Sequence, residues 1–285
     1  MKFTKMQAYG NDYVYIELIT QKMTDESDWA RFLSKPHYGV GSDGMILICP
    51  SEIADFRMRV FNPDGSEAEI CGNAIRSCAK FVYEKGFTDK KKMTFETLGG
   101  TKELSLVVDE NGKVRNITAK WGAPILESEK IPVNVEKCVD YPFTVREKTF
   151  ELTAVSMGNP HCAVYTKNVK GLDLKLYGSA IECSELFPQK ANVEFAEVID
   201  KNNIFVRTWE RNCGETLACG TGCCAAVVAG CITGRLDNDV TVHQLGGDIG
   251  IYWDRDENCI YMTGGSEFVF DGEINDEAYK NFKQC

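Results

Sequence analysis

The sequence predicts an α+β fold in which two pseudo-symmetric domains each wrap a curved, mostly antiparallel β-sheet around one central α-helix. Three observations lead to this prediction. One segment recurs at a fixed offset, strand-like runs dominate both halves of the chain, and only two segments have the pattern of firm helices. Each of those two helices directly follows a Cys-Gly pair, and this pair ends the recurring segment.

The internal repeat is the first of these observations. Residues 59–72 align with residues 207–220 so that Arg, an aromatic residue, Glu, Cys and Gly coincide at an offset of 148 positions (219 minus 71). The same offset places Gly158-Asn159 over Gly10-Asn11. Two separate segments that agree on one offset indicate a duplicated domain.

Alternation of apolar and polar residues predicts strands in both halves. In the first half the predicted strands are Lys2–Met6, Tyr13–Leu18, Met45–Cys49, Phe56–Phe61, Met93–Thr97, Glu103–Val108 and Val114–Trp121. In the second half they are His161–Tyr165, Val193–Ile199, Ile204–Trp209, Asp239–His243, Ile249–Trp253 and Cys259–Thr263. Asn111-Gly112 is a strong turn signal between two of them.

The two firm helices differ in their apolar pattern. The first is predicted from about Ala74 to Lys85, with apolar residues on one face and Gly86 as its stop. The second is predicted over Gly222–Ile232 and is apolar all round, which indicates burial on every side. Asn73 and Thr221 occupy the positions where N-caps are expected.

Two further short helices are predicted over Asp25–Leu33 and Asp276–Phe282. With a boundary near Gly122, we predict a first domain over residues 1–120, completed by residues 266–285, and a second over residues 121–265.

Composition limits the class of partner. The formal net charge is −10, and no run of basic residues is longer than Lys90-Lys91-Lys92, which argues against a nucleic-acid or membrane partner. No stretch approaches the roughly 18 apolar residues that span a bilayer, and no signal peptide is visible, so we expect a cytoplasmic protein. The 13 cysteines are odd in number, and we interpret them as reduced thiols.

The repeated cysteines, Cys71 and Cys219, are the strongest candidates for chemistry. Each lies just before a helix start, where the helix dipole and unpaired N–H groups favour a thiolate and can lower its pKa by about one unit or more. The same N–H groups form an anion site. A carboxylate held between two such helix ends has a thiol on each side of its α-carbon.

This arrangement suits inversion of a stereocentre. One thiolate removes the α-proton, the opposite thiol delivers a proton to the other face, and the N–H groups stabilise the charge that develops on the carboxylate. Alternatives remain open on the residues alone. The cysteines could be small core residues, part of a zinc site with Cys213, Cys223 and Cys224, or a redox dithiol, although the chain has neither zinc-knuckle spacing nor Cys-x-x-Cys.

The chain resembles the diaminopimelate epimerase family over essentially its whole length. The motifs that carry the resemblance are Gly10-Asn11-Asp12, Gly39-Val-Gly-Ser-Asp43-Gly44, Asn62-Pro-Asp-Gly-Ser-Glu, Cys71-Gly72-Asn73, Gly158-Asn159-Pro160-His161, Glu210-Arg211 and Ala218-Cys219-Gly220-Thr221-Gly222. The resemblance implies two β-rich domains that each surround a helix. It also implies interconversion of LL- and meso-diaminopimelate for lysine and peptidoglycan precursors, with no cofactor and no metal.

The resemblance also implies roles for individual residues. Cys71 matches the proton donor and Cys219 the proton acceptor for one direction of the reaction. His161 and Glu210 match residues that tune the thiols. The positions that match substrate-binding residues are Asn11, Asn62, Gly72, Asn73, Asn159, Asn192, Glu210, Arg211, Gly220 and Thr221. Arg211 is suited to hold a distal carboxylate through two hydrogen bonds.

Some positions depart from the family pattern. Gly44 stands where a substrate-contacting Gln is frequent, Ala74 and Asn212 stand where Gly is frequent, and Phe270 stands where Tyr marks a dimer contact. A homodimer is still expected. The rival hypotheses are a proline racemase or hydroxyproline epimerase, a phenazine-type isomerase, a non-catalytic binding protein and a redox sensor. Proline racemases and hydroxyproline epimerases usually have His where Asn73 stands. A phenazine-type isomerase or a non-catalytic binding protein would lack one of the two cysteines.

Overall fold

The computed structural model describes residues 1–283, which divide into two compact units. The first unit comprises Met1–Ala119 and the C-terminal segment from Gly264, and the second comprises Lys120–Thr263. Residues 284 and 285, which the sequence assigned to the first domain, lie outside the described residues. No helix within residues 1–283 is both long enough and apolar enough to cross a bilayer.

The elements follow one another in similar order in the two halves. The chain begins with β1 (Lys2–Ala8), β2 (Asn11–Glu17), α1 (Glu26–Ser34), β3 (Met45–Cys49), β4 (Phe56–Phe61), β5 (Glu67–Ala68), α2 (Gly72–Glu84), β6 (Lys92–Glu96), β7 (Lys102–Val108) and β8 (Val114–Gly122). It continues with β9 (Tyr141–Val145), β10 (Lys148–Ser156), β11 (Pro160–Tyr165), α3 (Leu174–Glu182), β12 (Asn192–Asp200), β13 (Asn203–Glu210), β14 (Gly214–Thr216), α4 (Gly220–Ile232), β15 (Asp239–Gln244), β16 (Gly247–Asp254) and β17 (Cys259–Gly264). The last elements are β18 (Glu267–Glu273) and α5 (Asp276–Lys283), which belong to the first unit.

The strands of each unit pair in the same pattern. In the first unit β1 is antiparallel to β2 and β18, β3 to β4, β4 to β5 and β6 to β7, while β2–β3 and β4–β6 are parallel. In the second unit β10 is antiparallel to β11, β12 to β13 and β15 to β16, while β11–β12 and β13–β15 are parallel. The predicted fold class, with its mostly antiparallel sheets, is confirmed.

One central helix packs against the sheet of each unit. In the first unit α2 contacts β1, β2 and β7, and in the second α4 contacts β10, β11, β12 and β16. Eleven of the thirteen residues of α4 are buried, as its continuous apolar sequence predicted. The predicted N-caps are wrong, because both helices begin two residues earlier than expected. The N-cap residues are Cys71 and Cys219, and Asn73 and Thr221 lie in the first turns.

A second helix covers the opposite face of each sheet. On this face α1 packs against Val14, Ile16, Met45 and Leu47, so that β2 and β3 are buried on both sides. In the second unit α3 packs in the same way against strands β11 and β12. Helix α3 was not predicted from the sequence, yet it starts 148 positions after α1 (174 minus 26). The repeat therefore includes the outer helices as well as the Cys-Gly helices.

Candidate active site

The two repeated cysteines occupy the same local position in their respective units. Cys71 precedes α2 and Cys219 precedes α4, each with extended backbone (φ −131° and −129°). Both are free thiols, Cys71 half-buried and Cys219 buried. Neither sulfur makes a capping hydrogen bond, but the nearby N–H groups of Asn73 and Ala74 lower the pKa of Cys71, and that of Gly222 lowers the pKa of Cys219. Each sulfur thus meets N–H groups that a helix start leaves without an intrahelical partner.

The pKa of each thiol is nevertheless raised. Burial raises the pKa of Cys71, and the first-turn N–H groups, the Tyr13 hydroxyl and the Arg76 guanidinium only partly offset it. Burial also raises the pKa of Cys219 well above its ordinary value, and the negative charges of Glu210 and Glu194 raise it further. The sequence-based expectation of lowered thiol pKa values is therefore wrong for the net direction, because loss of solvation outweighs the helix terminus.

A network of amide side chains surrounds Cys71. The thiol donates to Asn11 Oδ1 (3.5 Å), and Asn73 Nδ2 donates to the same oxygen (3.3 Å). Asn11 Nδ2 donates to Asp43 Oδ2 (2.8 Å), while the fully buried Arg76 donates to Asn73 Oδ1 (2.7 Å). Asn11 and Asn73, predicted from the resemblance, therefore lie beside the first thiol together with Gly72, the first residue of α2.

Asn62 is placed differently within the first unit. It lies in the turn between β4 and β5, where its side-chain amide donates to Ser66 Oγ (3.0 Å) and its backbone N–H donates to the Ser66 carbonyl (2.9 Å). These contacts are those of the turn former that the Asn-Pro-Asp-Gly sequence indicates. A role for Asn62 in substrate binding stays a prediction.

Asn159 and His161 form a buried cluster with Glu194 in the second unit. His161 is fully buried, with Nδ1 2.9 Å from Glu194 Oε1 and Nε2 3.0 Å from Asn159 Oδ1. Glu194 is also fully buried, and its carboxylate acts on Cys219. Because both contacts of the imidazole are to oxygen atoms, it can donate through both nitrogens in its protonated form.

The Glu210-Arg211 segment is fixed by a second asparagine. Asn192 Oδ1 accepts from the Arg211 backbone N–H (3.0 Å), and Asn192 Nδ2 donates to the Pro160 carbonyl (3.0 Å). Both polar ends of this amide therefore bind main chain. Glu210 Oε1 accepts from Thr216 Oγ1 (2.6 Å), and its charge acts on Cys219. The Arg211 guanidinium donates to the Gln189 carbonyl (3.3 Å).

The remaining predicted residues lie at the start of α4. Gly220 is its first residue, and Thr221 Oγ1 is 3.7 Å from Cys219 Sγ. The backbone N–H of Cys219 donates to Gln244 Oε1 (2.9 Å), a contact that the sequence did not predict. This bond fixes the residue that caps the helix.

Two more residues near the thiols were missed, although the sequence contained a signal for each. Tyr13 and His161 are equivalent positions of the repeat, since they differ by the same 148 positions (161 minus 13). Glu194 is flanked in β12 by Val193, Phe195 and Ala196, and a buried charge among apolar residues indicates a specific partner.

The chemistry of each half is acid–base chemistry beside an anion site. A thiol, a helix N-terminus and an asparagine amide come together in the first unit, and a thiol, a helix N-terminus and two carboxylates in the second. Within residues 1–283, no group of three or more His, Cys, Asp or Glu side chains is arranged to hold a metal ion.

Comparisons with known proteins give one consistent family. A family model described as diaminopimelate epimerase matches residues 3–124 and 153–269. A diaminopimelate epimerase from Methanococcus maripaludis is 50% identical over 277 residues, covering 96% of this chain and 100% of the relative. One from Acetivibrio thermocellus is 47% identical over 277 residues, covering 96% of this chain and 99% of the relative.

Solved structures share the fold at much lower identity. A Bacillus anthracis phenazine biosynthesis protein of the PhzF family has a TM-score of 0.69 at 20% identity, covering 96% of this chain and 99% of that one. A probable proline racemase from Agrobacterium radiobacter has a TM-score of 0.70 at 13% identity, covering 96% and 92%. These likenesses concern the fold.

Proposed function

The chain belongs to the diaminopimelate epimerase family, and from this premise we propose that it interconverts LL- and meso-2,6-diaminopimelate by inverting one α-carbon. The observation that carries the proposal is the duplicated thiol. Cys71 and Cys219 occupy the N-cap positions of equivalent helices in the two units, each with first-turn N–H groups that lower the pKa of its thiol.

Inversion at a carbon requires a base on one face and an acid on the other. We assign these roles to Cys71 and Cys219, one from each unit, with the roles exchanged in the reverse direction. The thiolate takes the α-proton, and the C–H electron pair delocalises into the adjacent carboxylate. The N–H groups at the helix starts stabilise that charge, and the opposite thiol then protonates the carbon. Both steps are proton transfers, so no group is oxidised or reduced.

The raised thiol pKa values fit this use. A neutral thiol at pH 7 is a competent acid, and a thiolate that forms in a buried site is a strong base. Because Glu210 and Glu194 both act on Cys219, its thiolate is the more basic of the two. We therefore propose that Glu210 tunes Cys219, as the resemblance implies, and we extend the same role to Glu194, with His161 as its hydrogen-bonding partner.

Recognition of diaminopimelate requires a grip on its second amino-acid centre. We propose that Arg211 binds the distal carboxylate and that Asn11, Asn73 and Asn159 contact polar groups of the substrate. Asn192 supports Arg211, whose backbone N–H it accepts. A cyclic secondary amine such as proline has no distal carboxylate for Arg211 to bind.

The setting of the reaction extends the proposal. We propose that the protein acts in the cytoplasm, in the formation of lysine and peptidoglycan precursors, without a cofactor. We also propose that it pairs with a second copy through β18, where Val269 and Phe270 are 54% and 47% exposed. Exposed apolar side chains are typical of a protein interface.

The decisive experiment follows the α-hydrogen in deuterated water. With LL-diaminopimelate as substrate, early product should carry deuterium at the inverted carbon while recovered substrate carries none, because acid and base are different groups. L-proline should exchange no α-hydrogen. Exchange of proline but not of diaminopimelate would reassign the protein to a proline racemase. Return of the original hydrogen to the product would exclude two separate thiols.

Cysteine variants test the residue assignment. Cys71→Ala and Cys219→Ala should each abolish inversion and leave the folded state intact, as monitored by circular dichroism. Cys49→Ala is the matched control, since Cys49 is also a half-buried free thiol of the first unit, in β3. Near-normal turnover in either active-site variant would contradict the assignment.

A further inference from the structure

The Tyr13 side chain lies next to Cys71 and has no part in the mechanism above. Asn11, Tyr13 and Tyr15 alternate along β2, so their side chains point to one face of the strand. That face is directed at α2, where Asn11 meets Cys71 and Tyr15 meets Cys78. Tyr13 is buried, with 7% of its surface exposed.

The hydroxyl of Tyr13 lies on the face of β2 from which Asn11 contacts the reacting sulfur. It lies close to the Cys71 sulfur, whose pKa it lowers, and close to Asn11. Its ring also makes an edge contact with the Tyr15 ring, at 6.5 Å between centroids. Strand β2 and the Tyr15 ring thus hold the Tyr13 ring in place. Its hydroxyl lies where it would donate a hydrogen bond to a thiolate on Cys71.

Gly44 explains how the ring fits. A Cβ on residue 44 would lie 2.9 Å and 3.2 Å from two carbons of the Tyr13 ring and 2.2 Å from the Phe61 carbonyl oxygen. Its φ of +154° is also unfavourable for any residue with a side chain. A larger residue at position 44 would therefore displace Tyr13, and the Gly44 of this chain leaves room for the Tyr13 ring.

We propose that Tyr13 is a positioning residue for Cys71, whose hydroxyl donates a hydrogen bond to the sulfur and stabilises the thiolate during proton transfer. The proposal rests on the proposed function, in which Cys71 is one of two acid–base groups. The equivalent position of the second unit is His161, so both units place a polar ring at this point of the repeat.

Several other groups also act on the Cys71 thiol, and Tyr13 acts in addition to them. Arg76 and the first-turn N–H groups also favour the thiolate, while burial opposes it. The Cys78 thiol lies within electrostatic range of Cys71 on α2, and Asp43 acts on Tyr13 from the loop before β3. Burial raises the pKa of Tyr13 well above its ordinary value. The hydroxyl therefore keeps its proton, and remains a donor, while the thiol titrates.

The test measures alkylation of Cys71 as a function of pH. Trypsin cleavage after Arg59 and Arg76 releases residues 60–76, in which Cys71 is the sole cysteine, so mass spectrometry reads this site alone. Iodoacetamide reacts with the thiolate. Tyr13→Phe should move the alkylation midpoint of the folded protein up by about one pH unit, or about tenfold less thiolate at a given pH, as expected for loss of a hydrogen bond to a charged group.

Tyr15→Phe is the matched control, because it removes a buried hydroxyl from the same face of β2. Its midpoint should stay at the wild-type value. A Tyr13→Phe midpoint equal to wild type would overturn the proposal, and equal shifts in both variants would attribute the effect to altered packing. Alkylation does not depend on substrate, so absence of epimerase activity in the wild type would overturn the proposed function without affecting this result.

Discussion

Gly222→Ala places a methyl group against the buried carboxylate of the second unit. The Cβ of an alanine at this position would lie 2.6 Å from Glu194 Oε1 and 3.0 Å from its Cγ. Neither Glu194 nor helix α4 can move away easily. Glu194 is fully buried and hydrogen-bonded to His161, and α4 is buried along nearly its whole length. The equivalent residue in the first unit is Ala74, which faces no such carboxylate, since Ile46 replaces Glu194 there.

The expected cost follows from three contributions. Alanine is favoured over glycine in a helix by about 1 kcal/mol. Inserting a methyl group into a packed interior costs about 1–3 kcal/mol. Disturbing a buried hydrogen bond that involves a charged group costs about 1.5–3 kcal/mol. We therefore expect Gly222→Ala to lower the free energy of unfolding by about 1.5–5 kcal/mol.

Urea unfolding followed by tryptophan fluorescence measures this change. The control is a double-mutant cycle with Glu194→Ala, which removes the carboxylate that the methyl group meets. In that background Gly222→Ala should cost much less, with a coupling energy of about 1–3 kcal/mol. Equal destabilisation in both backgrounds, or a Gly222→Ala protein more stable than wild type, would refute the argument.

Three further predictions concern catalysis and acid stability. Arg211→Met should raise the KM for diaminopimelate by at least about tenfold through loss of a charged contact. Arg235→Met, which removes a surface ion pair with Asp140, should leave KM unchanged. Equal KM values in both variants would exclude Arg211 as the residue that binds the distal carboxylate. Because burial and two carboxylates raise the pKa of Cys219, turnover should increase from about pH 7 to pH 9. Glu210→Gln removes one of these charges and should move the increase to lower pH. An unchanged pH profile of turnover would exclude Glu210 as a tuning residue. Arg59 holds the pKa of Glu67 below its ordinary value. The ionised Glu67 therefore stabilises the fold above the ordinary pKa, and this contribution is lost as pH falls through the lowered pKa. Arg59→Met should remove this contribution, so urea titrations between about pH 5 and 3 should show a smaller loss of stability with acid than in the wild type.

Local sequence was sufficient for most of the strands and for the two central helices. Met45–Cys49 and Phe56–Phe61 were predicted with the bounds that the structure has. Their alternation and β-branched or aromatic content act over a few residues, so no distant partner is needed to recognise them. Helix α3 was missed because Gly178 interrupts its pattern. The reason for that glycine is distant in sequence, since a Cβ there would lie 2.7 Å from the Trp209 side chain.

The sequence by itself determined the duplication, the pair of Cys-Gly helices and the residues that resemble the family's site, because a fixed offset and specific motifs are properties of the chain alone. Only the tertiary structure decided that the cysteines occupy the N-cap positions, that Tyr13 and Glu194 act on the thiols, and that both thiol pKa values rise. The physical reason is solvation. A helix start favours a thiolate through a few local N–H groups, whereas burial depends on every element packed around the sulfur, and here burial is the larger effect.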